Sequence, residues 1–273
     1  MDANAINLQV TNVLATDLDG TLIPVEGCEQ NQADLLVLAQ KLADAQVPLI
    51  FVTGRHLGSI QRAIETFRLP LPNWIVGDVG TSIYERDLGG EWTLIESYAS
   101  HLQASVGDMS LEVVRYAFEH FDDLTLQAPE KQGRFKLSYY CPRESVKSVA
   151  ERLQLRLDEL GAPYGVTNSL DPFTTHGLID ILPRVASKAA ALQWWAKHYR
   201  IDTEKIVFAG DSGNDLAPMT VGLRSIVVGN ADPELTRAVR AVHSSAGWKD
   251  RLFVAEANAT SGVLEGCQWF GVL

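Results

Sequence analysis

Five short apolar runs punctuate the chain, and each stops at a small or polar residue. Val13-Leu14-Ala15 leads to Asp17, Pro48–Val52 to Thr53-Gly54-Arg55, and Trp74-Ile75-Val76 to Gly77-Asp78. Further on, Ile206–Ala209 leads to Gly210-Asp211 and Ser225–Val228 to Gly229-Asn230. Runs that are apolar on both faces predict fully buried strands with a loop at each carboxyl end. Helical periodicity lies between them: Gln32–Ala45 places Leu35, Leu38, Ala39 and Leu42 on one face. His56–Phe67 does the same with Ile60, Ala63, Ile64 and Phe67, and another helix runs from Lys188 to Lys197. This alternation predicts an α/β fold with a doubly wound, Rossmann-like parallel sheet. Such sheets bind ligands beyond the carboxyl ends of their strands, which is where the polar signatures fall.

The middle of the chain reads differently. From about Tyr98 the order becomes a helix (Leu111–His120), an alternating strand (Phe135–Tyr140), a helix (Ser145–Leu160) and polar, turn-rich sequence up to His176. This predicts a smaller α+β cap domain, residues 98–176, inserted into a core made of 1–97 and 177–273. The parallel pattern is expected to resume with Leu178-Ile179-Asp180-Ile181-Leu182. From Ala246 onward, Trp248, Phe253, Trp269 and Phe270 are expected to pack on the core.

With 273 residues, 46% of them hydrophobic, the chain can bury a large core, and its net charge of −11 argues against nucleic acid or an anionic membrane as partner. A phosphorylated substrate stays open, because the field inside a site can oppose the net charge. Cys28, Cys141 and Cys267 are far apart, with no CxxC, which points away from a disulfide framework or a thiolate zinc site. The opening MDANAINLQV lacks a basic stretch followed by an apolar one, and no apolar run reaches membrane-spanning length. A cytoplasmic, monomeric protein is the expectation.

The chemistry concentrates in four places. In Asp17-Leu18-Asp19-Gly20-Thr21, two carboxylates two residues apart can reach one side of a turn that Gly20 lets bend. Carboxylates that close repel unless a cation sits between them, so a magnesium site with one carboxylate aimed at an electrophile fits. Asp also caps and bends turns, and this motif alone leaves both readings open. Thr53-Gly54-Arg55 adds a hydroxyl, an amide and a cation suited to phosphate, although Thr53 can equally open a helix. Lys188 stands at a helix start, where a cation is poorly placed. Gly210-Asp211-Ser212-Gly213-Asn214-Asp215 brings two more carboxylates. Together these segments would deliver a nucleophile, a hydroxyl, an ammonium group and a metal cluster to one sheet edge, which are the parts of a phosphoryl-transfer site.

The motifs DLDGT, TGR, Lys188 and GDSGND resemble, in order and separation, the four motifs of the haloacid dehalogenase superfamily of phosphatases. The insertion is similar to the α/β cap of the Cof-like branch. Phe135–Tyr139, Ile179–Pro183 and Val228–Leu235 resemble the sucrose-phosphate phosphatases and the related mannosylfructose-phosphate phosphatases. The resemblance implies that Asp17 attacks phosphorus and that Asp19 protonates the leaving oxygen and then activates water. It implies Mg2+ held by Asp17, the Asp19 backbone carbonyl and Asp211, with Asp215 behind them. Thr53, Gly54 and Lys188 would hold phosphate oxygens, and Asn214 would contact phosphate or sugar. Gly80, Thr81, Lys136, Asp180, Gln132 and His176 are the implied substrate contacts. Periodicity alone makes Lys136 an exposed strand lysine; the resemblance turns it toward substrate. Gly80-Thr81-Ser82 stands where many sucrose-phosphate phosphatases carry Gly-Ser-Glu, so the acidic sugar contact expected there is missing and the pair is closer to the mannosylfructose branch. The implied function is a phosphatase of a phosphorylated disaccharide, sucrose 6F-phosphate first, with the sugar-phosphate synthase of the same pathway as a partner. A phosphomutase and a non-catalytic sugar-phosphate-binding module are the alternatives.

Overall fold

The computed structural model describes residues 12–170 and 175–273. The N-terminal stretch read above, and residues 171–174 of the segment read as polar turns, lie outside them. In chain order the strands are β1 (Val13–Thr16), β2 (Leu49–Val52), β3 (Trp74–Gly77), β4 (Ser82–Arg86), β5 (Trp92–Leu94), β6 (Thr125–Leu126), β7 (Leu137–Pro142), β8 (Tyr164–Leu170), β9 (His176–Pro183), β10 (Ile206–Gly210), β11 (Arg224–Val227) and β12 (Leu252–Val254). The helices are α1 (Glu29–Asp44), α2 (Leu57–Phe67), α3 (Glu96–Val106), α4 (Leu111–Ala117), α5 (Val146–Glu159), α6 (Lys188–Tyr199), α7 (Leu216–Met219), α8 (Pro233–Ser245) and α9 (Ala259–Trp269). Two compact units result: one runs up to Leu94 and resumes at Lys188, and the other is Ile95–Ser187.

The first unit is built on an eight-stranded sheet in the order β12-β11-β10-β1-β2-β3-β4-β5. From β12 to β3 all neighbours are parallel, and β4 and β5 extend the edge as an antiparallel pair. Strand β1 is central, with Leu14 opposite both Leu49 and Val207, and all its residues are buried. That is why it reads as an uninterrupted apolar run: helices on both faces leave no side to solvate. Helix α1 turns Leu35, Leu38 and Leu42 inward at helical spacing, and Val263, Leu264 and Cys267 of α9 belong to the same core cluster. Phe253 and Phe270 pack against that cluster, as expected for the C-terminal segment, whereas half of Trp269 stands in solvent.

The second unit carries a four-stranded antiparallel sheet, β6-β7-β9-β8. Here the sequence reading needs two corrections. Leu178–Leu182 does not resume the parallel sheet: as part of β9 it pairs antiparallel with both β7 and β8, so the unit extends to Ser187. The stretch read as polar turns contains the strand β8, Tyr164–Leu170. Its residues beyond Tyr164 are at most half-buried, so its polar residues need not break the ladder.

Candidate active site

Asp17 follows the last residue of β1, and its N–H donates to the Ala209 carbonyl at 2.9 Å. One more ladder bond thus fixes it beside the end of β10. It is only 5% exposed. The chain then turns through Leu18–Leu22, with Gly20 at φ +75°, a left-handed conformation that favours glycine. A Cβ on Gly20 would collide with the Asp211 carboxylate. Thr21 anchors the turn from inside by donating its hydroxyl to Asp211 Oδ1 at 2.8 Å, across 190 residues of sequence.

Asp211 leaves β10 at Gly210, whose hypothetical Cβ would lie 2.6 Å from Asp215 Cγ. The loop closes on itself: Asp215 Oδ2 accepts from the N–H groups of Asp211 (3.1 Å) and Ser212 (3.2 Å). Lys188, 2% exposed, opens α6. Its Nζ lies 3.0 Å from Asp17 Oδ1 and 2.7 Å from Asp215 Oδ1, and donates to Asn214 Oδ1 at 3.0 Å. A buried ammonium therefore meets three oxygen acceptors from two strand ends, which explains a lysine at a helix start.

Carboxylate oxygens of Asp17, Asp211 and Asp215 lie within 4.8 Å of one another. Burial pushes Asp17 up to about 8; Asp215 and Asp211 add to the rise, and Lys188 opposes it. Burial likewise raises Asp211 to about 6, with Asp215 adding and the Thr21 hydroxyl and Lys188 opposing. Burial by itself would lower Lys188, but Asp17 and Asp215 more than reverse this and hold it above its ordinary value. Three carboxylates against one ammonium leave two formal negative charges, which is the charge one divalent cation neutralises. All the clustered ligand atoms are hard oxygens, the donor type magnesium takes.

Thr53 follows the last residue of β2; it is 1% exposed, and its N–H donates to Val76 O at 2.9 Å. Gly54 follows, half-buried. Arg55 does something the sequence did not disclose. Its Nε and Nη2 donate to the two carboxylate oxygens of Asp19, at 2.7 and 2.6 Å, and its Nη1 reaches Ser59 Oγ at 3.2 Å. The cation read as a phosphate ligand thus holds the second carboxylate of the turn in a bidentate grip. The loop beyond β3 is laced to the same strand end, with Asp78 N–H on Arg55 O (3.0 Å) and Val79 N–H on Thr53 O (3.2 Å). Asp78 and Val79 adopt positive φ, +51° and +59°, which is uncommon for any side chain and costly for a β-branched one. Gly80 and Thr81 continue this loop, and the Thr81 hydroxyl donates to Asp78 O at 2.9 Å.

The structure therefore brings Asp17, Lys188, Asn214, Asp211 and Asp215 together through direct contacts, and ties Asp19 to the Thr53-Gly54-Arg55 strand end. The remaining sequence candidates lie in the second unit. Lys136 is 5% exposed, so the periodicity reading of an exposed lysine is corrected. Asp180, on β9, faces Ser138 of β7 in register and accepts its hydroxyl. Gln132 spends its side chain on backbone, donating to Gln127 O (2.9 Å) and Ser138 O (3.0 Å) and accepting from Ser138 N–H (2.8 Å). His176 is exposed at the start of β9, its ring centroid 5.1 Å from that of Tyr140.

Comparison with known proteins decides the family. The family model described as sucrose-6F-phosphate phosphohydrolase matches residues 10–271 of this chain. The chain belongs to the sucrose-6F-phosphate phosphohydrolase family. This phosphohydrolase is similar to a putative HAD-like hydrolase of Nitrosococcus oceani, 35% identical over 266 residues that cover 94% of this chain and 71% of the relative. It is also similar to the mannosylfructose-phosphate phosphatase of Agrobacterium fabrum, 28% identical and covering 95% of this chain and 97% of that one. Among solved structures, the sucrose-phosphatase of Synechocystis in complex with sucrose and phosphate aligns with a TM-score of 0.77 at 26% identity, over 96% of this chain and 98% of the other. The phosphohydrolase family and these relatives make the chain a phosphoric monoester hydrolase of the haloacid dehalogenase superfamily.

Proposed function

We propose that the chain is a Mg2+-dependent phosphatase of a phosphorylated disaccharide, with sucrose 6F-phosphate as its first substrate. The observation that carries the reading is the buried ammonium of Lys188 shared between Asp17 and Asp215 beside a three-carboxylate cluster. Asp17, Asp211 and the Asp19 backbone carbonyl would hold the cation, with Asp215 orienting Lys188 and the Asp211 loop behind them. Bound there, magnesium supplies positive charge that keeps Asp17 ionised and offsets charge on the transferring phosphoryl group.

The chain's own groups then divide the reaction. A carboxylate oxygen of Asp17 forms a bond to phosphorus as the bond from phosphorus to the sugar oxygen breaks, giving an aspartyl phosphate. Asp19, protonated on an oxygen that leaves Arg55 for the substrate, gives that proton to the departing sugar oxygen. Asp19 next takes a proton from the water that attacks phosphorus; the bond to Asp17 breaks, inorganic phosphate leaves, and both carboxyl groups return to their starting states. Thr53, the Gly54 amide and Lys188 would hold the equatorial phosphate oxygens, with Asn214 at their edge. Lys136, Asp180, Gln132 and His176, with Gly80 and Thr81, are proposed to choose the sugar. Gln132 is the weakest of them, because its amide is already committed to backbone.

A second reading, mannosylfructose phosphate as substrate, is favoured by Gly80-Thr81-Ser82, which lacks an acidic side chain where a sucrose contact was expected. The test is phosphate release from sucrose 6F-phosphate, mannosylfructose phosphate and monosaccharide phosphates, compared by kcat/KM with excess Mg2+ and with chelator. Preference for a phosphorylated disaccharide and silence in chelator support the proposal. No turnover of either disaccharide phosphate, or isomerisation outpacing phosphate release as in a mutase, refutes it. The proposal extends to a monomeric, cytoplasmic enzyme working beside the synthase that makes its substrate. Sedimentation of the chain alone and mixed with that synthase checks the assembly part. Among the described residues no helix is long and apolar enough to cross a membrane.

A further inference from the structure

We infer that Asn230 is a positioning residue for the nucleophile turn, holding the Gly20 carbonyl in place so that the Asp17 and Asp211 carboxylates can share one magnesium ion. The inference rests on the metal-site reading above.

Burial fixes most of this turn. Asp17, Leu18, Thr21 and Leu22 are all buried. Its crest is different: Asp19 is half-buried and Gly20 exposed. Packing gives little hold there, so hydrogen bonds must set the backbone. Arg55 holds the side chain of Asp19. Asn230 holds the backbone of Gly20: its Nδ2 donates to Gly20 O at 2.8 Å, across 210 residues of sequence. The other end of the same amide is tied as well. Asn230 Oδ1 accepts from Ala259 N–H at 2.7 Å, satisfying a donor that the first turn of α9 leaves without an intrahelical partner. Its backbone is also hemmed in, because a Cβ on Gly229 would meet the Glu256 carbonyl at 2.5 Å.

The consequence reaches the metal cluster through Gly20 itself. Gly20 sits directly against the Asp211 carboxylate, and the next residue, Thr21, bonds Asp211 Oδ1. Asp211 is approached from its other end too, by Asp232 N–H on its carbonyl at 3.1 Å, from the same loop that carries Asn230. A rotation of the Gly20 peptide would move Asp211 relative to Asp17. A planar amide that donates at one end and accepts at the other meets both demands at once.

The test compares wild type with N230A and N230D. Magnesium binding to the substrate-free protein is read by calorimetry, kcat and KM by phosphate release, and Tm by calorimetry. Losing the bond to Gly20 should weaken magnesium binding by about three- to tenfold, the range expected for one hydrogen bond, and lower kcat at limiting Mg2+ with little change in KM. N230D can still accept from Ala259 but cannot donate to Gly20. Measured at about 1 M salt, where the Debye length is about 3 Å, it should lose magnesium affinity as N230A does while keeping a Tm closer to wild type. A fall in Tm with magnesium affinity and kcat unchanged in both variants would make Asn230 a helix cap only and overturn the inference. Wild-type protein that binds no magnesium would overturn the metal-site reading, and this inference with it.

Discussion

A carboxylate buried beside two others is a costly arrangement, and Lys188, 3.0 Å from Asp17, offsets only part of that cost. Asp17→Asn keeps the shape and an acceptor for Lys188 but removes the nucleophile. Turnover should fall on the order of 10³-fold or more, with circular dichroism unchanged; retained turnover would reassign the nucleophile. Arg55 makes a second case. Two of its nitrogens match the two oxygens of Asp19, a fit that an ammonium cannot reproduce. Arg55→Lys should therefore lower kcat by about tenfold or more, since a general acid contributes roughly 10²–10⁴-fold when well placed, and change KM less. Equal kcat in the variant would show that the grip does not serve the acid. At this scale the sequence offered candidates and not their partners. Asp17, Asp19, Asp211 and Asp215 stood out as candidates because acidic residues at strand ends are chemically conspicuous. The pairings Arg55–Asp19, Thr21–Asp211 and Asn230–Gly20 were not, because spacing along the chain carries no record of which distant side chain a donor will meet.

Elements buried on both faces announced themselves, and those with one wet face did not. Strands β1, β2, β3, β10 and β11 were legible as apolar runs because the parallel sheet shields both sides. Leu178–Leu182 gave the same impression and was misplaced. The one cue in the sequence was the polar Asp180 inside the apolar run; in the structure Ile179 and Ile181 are fully buried while Leu178 and Asp180 are only half so, as on a two-faced antiparallel strand. Strand β8 was missed outright because YGVTNSL has too few apolar residues to signal, and its place is set by ladder bonds to β9. Helix α1 shows what the apolar face contributes. Leu38 is fully buried in the main core cluster and is not one of the residues that hold Lys188. Leu38→Ala should cost about 2–5 kcal/mol of stability, the usual range for a buried leucine truncation, measured by denaturant unfolding. The KM of the protein that remains folded should be unchanged; a shifted KM with unchanged stability would mean α1 shapes the site rather than the core.

For the whole molecule, the site sets a pH dependence that the cation should erase. Asp17 goes from its ordinary 3.8 to about 8 in the folded chain, burial being the main cause, and Asp211 from 3.8 to about 6 for the same reason. Between about pH 4 and pH 8 the metal-free folded state therefore binds more protons than the unfolded state. Where the folded state holds the extra protons, stability declines as pH rises. The contribution is fully present below 3.8 and is lost as pH passes 6 and then 8. Magnesium binds the deprotonated cluster and the folded chain alone, so its stabilisation should be larger at pH 8 than at pH 5. The expected result is a Tm in chelator that drops from pH 5 to pH 8 and a Tm in excess Mg2+ that drops less. A protein of net charge −11 also repels itself more strongly as pH rises, so the general charge must be separated from the site. Asp17→Asn does this: it deletes one titrating group and leaves the surface alone. Its Tm in chelator should vary less with pH than that of wild type, and the difference between the two curves should lie between pH 4 and pH 8. Parallel curves for the two proteins would place the pH sensitivity on the surface and leave the buried cluster without a part in it.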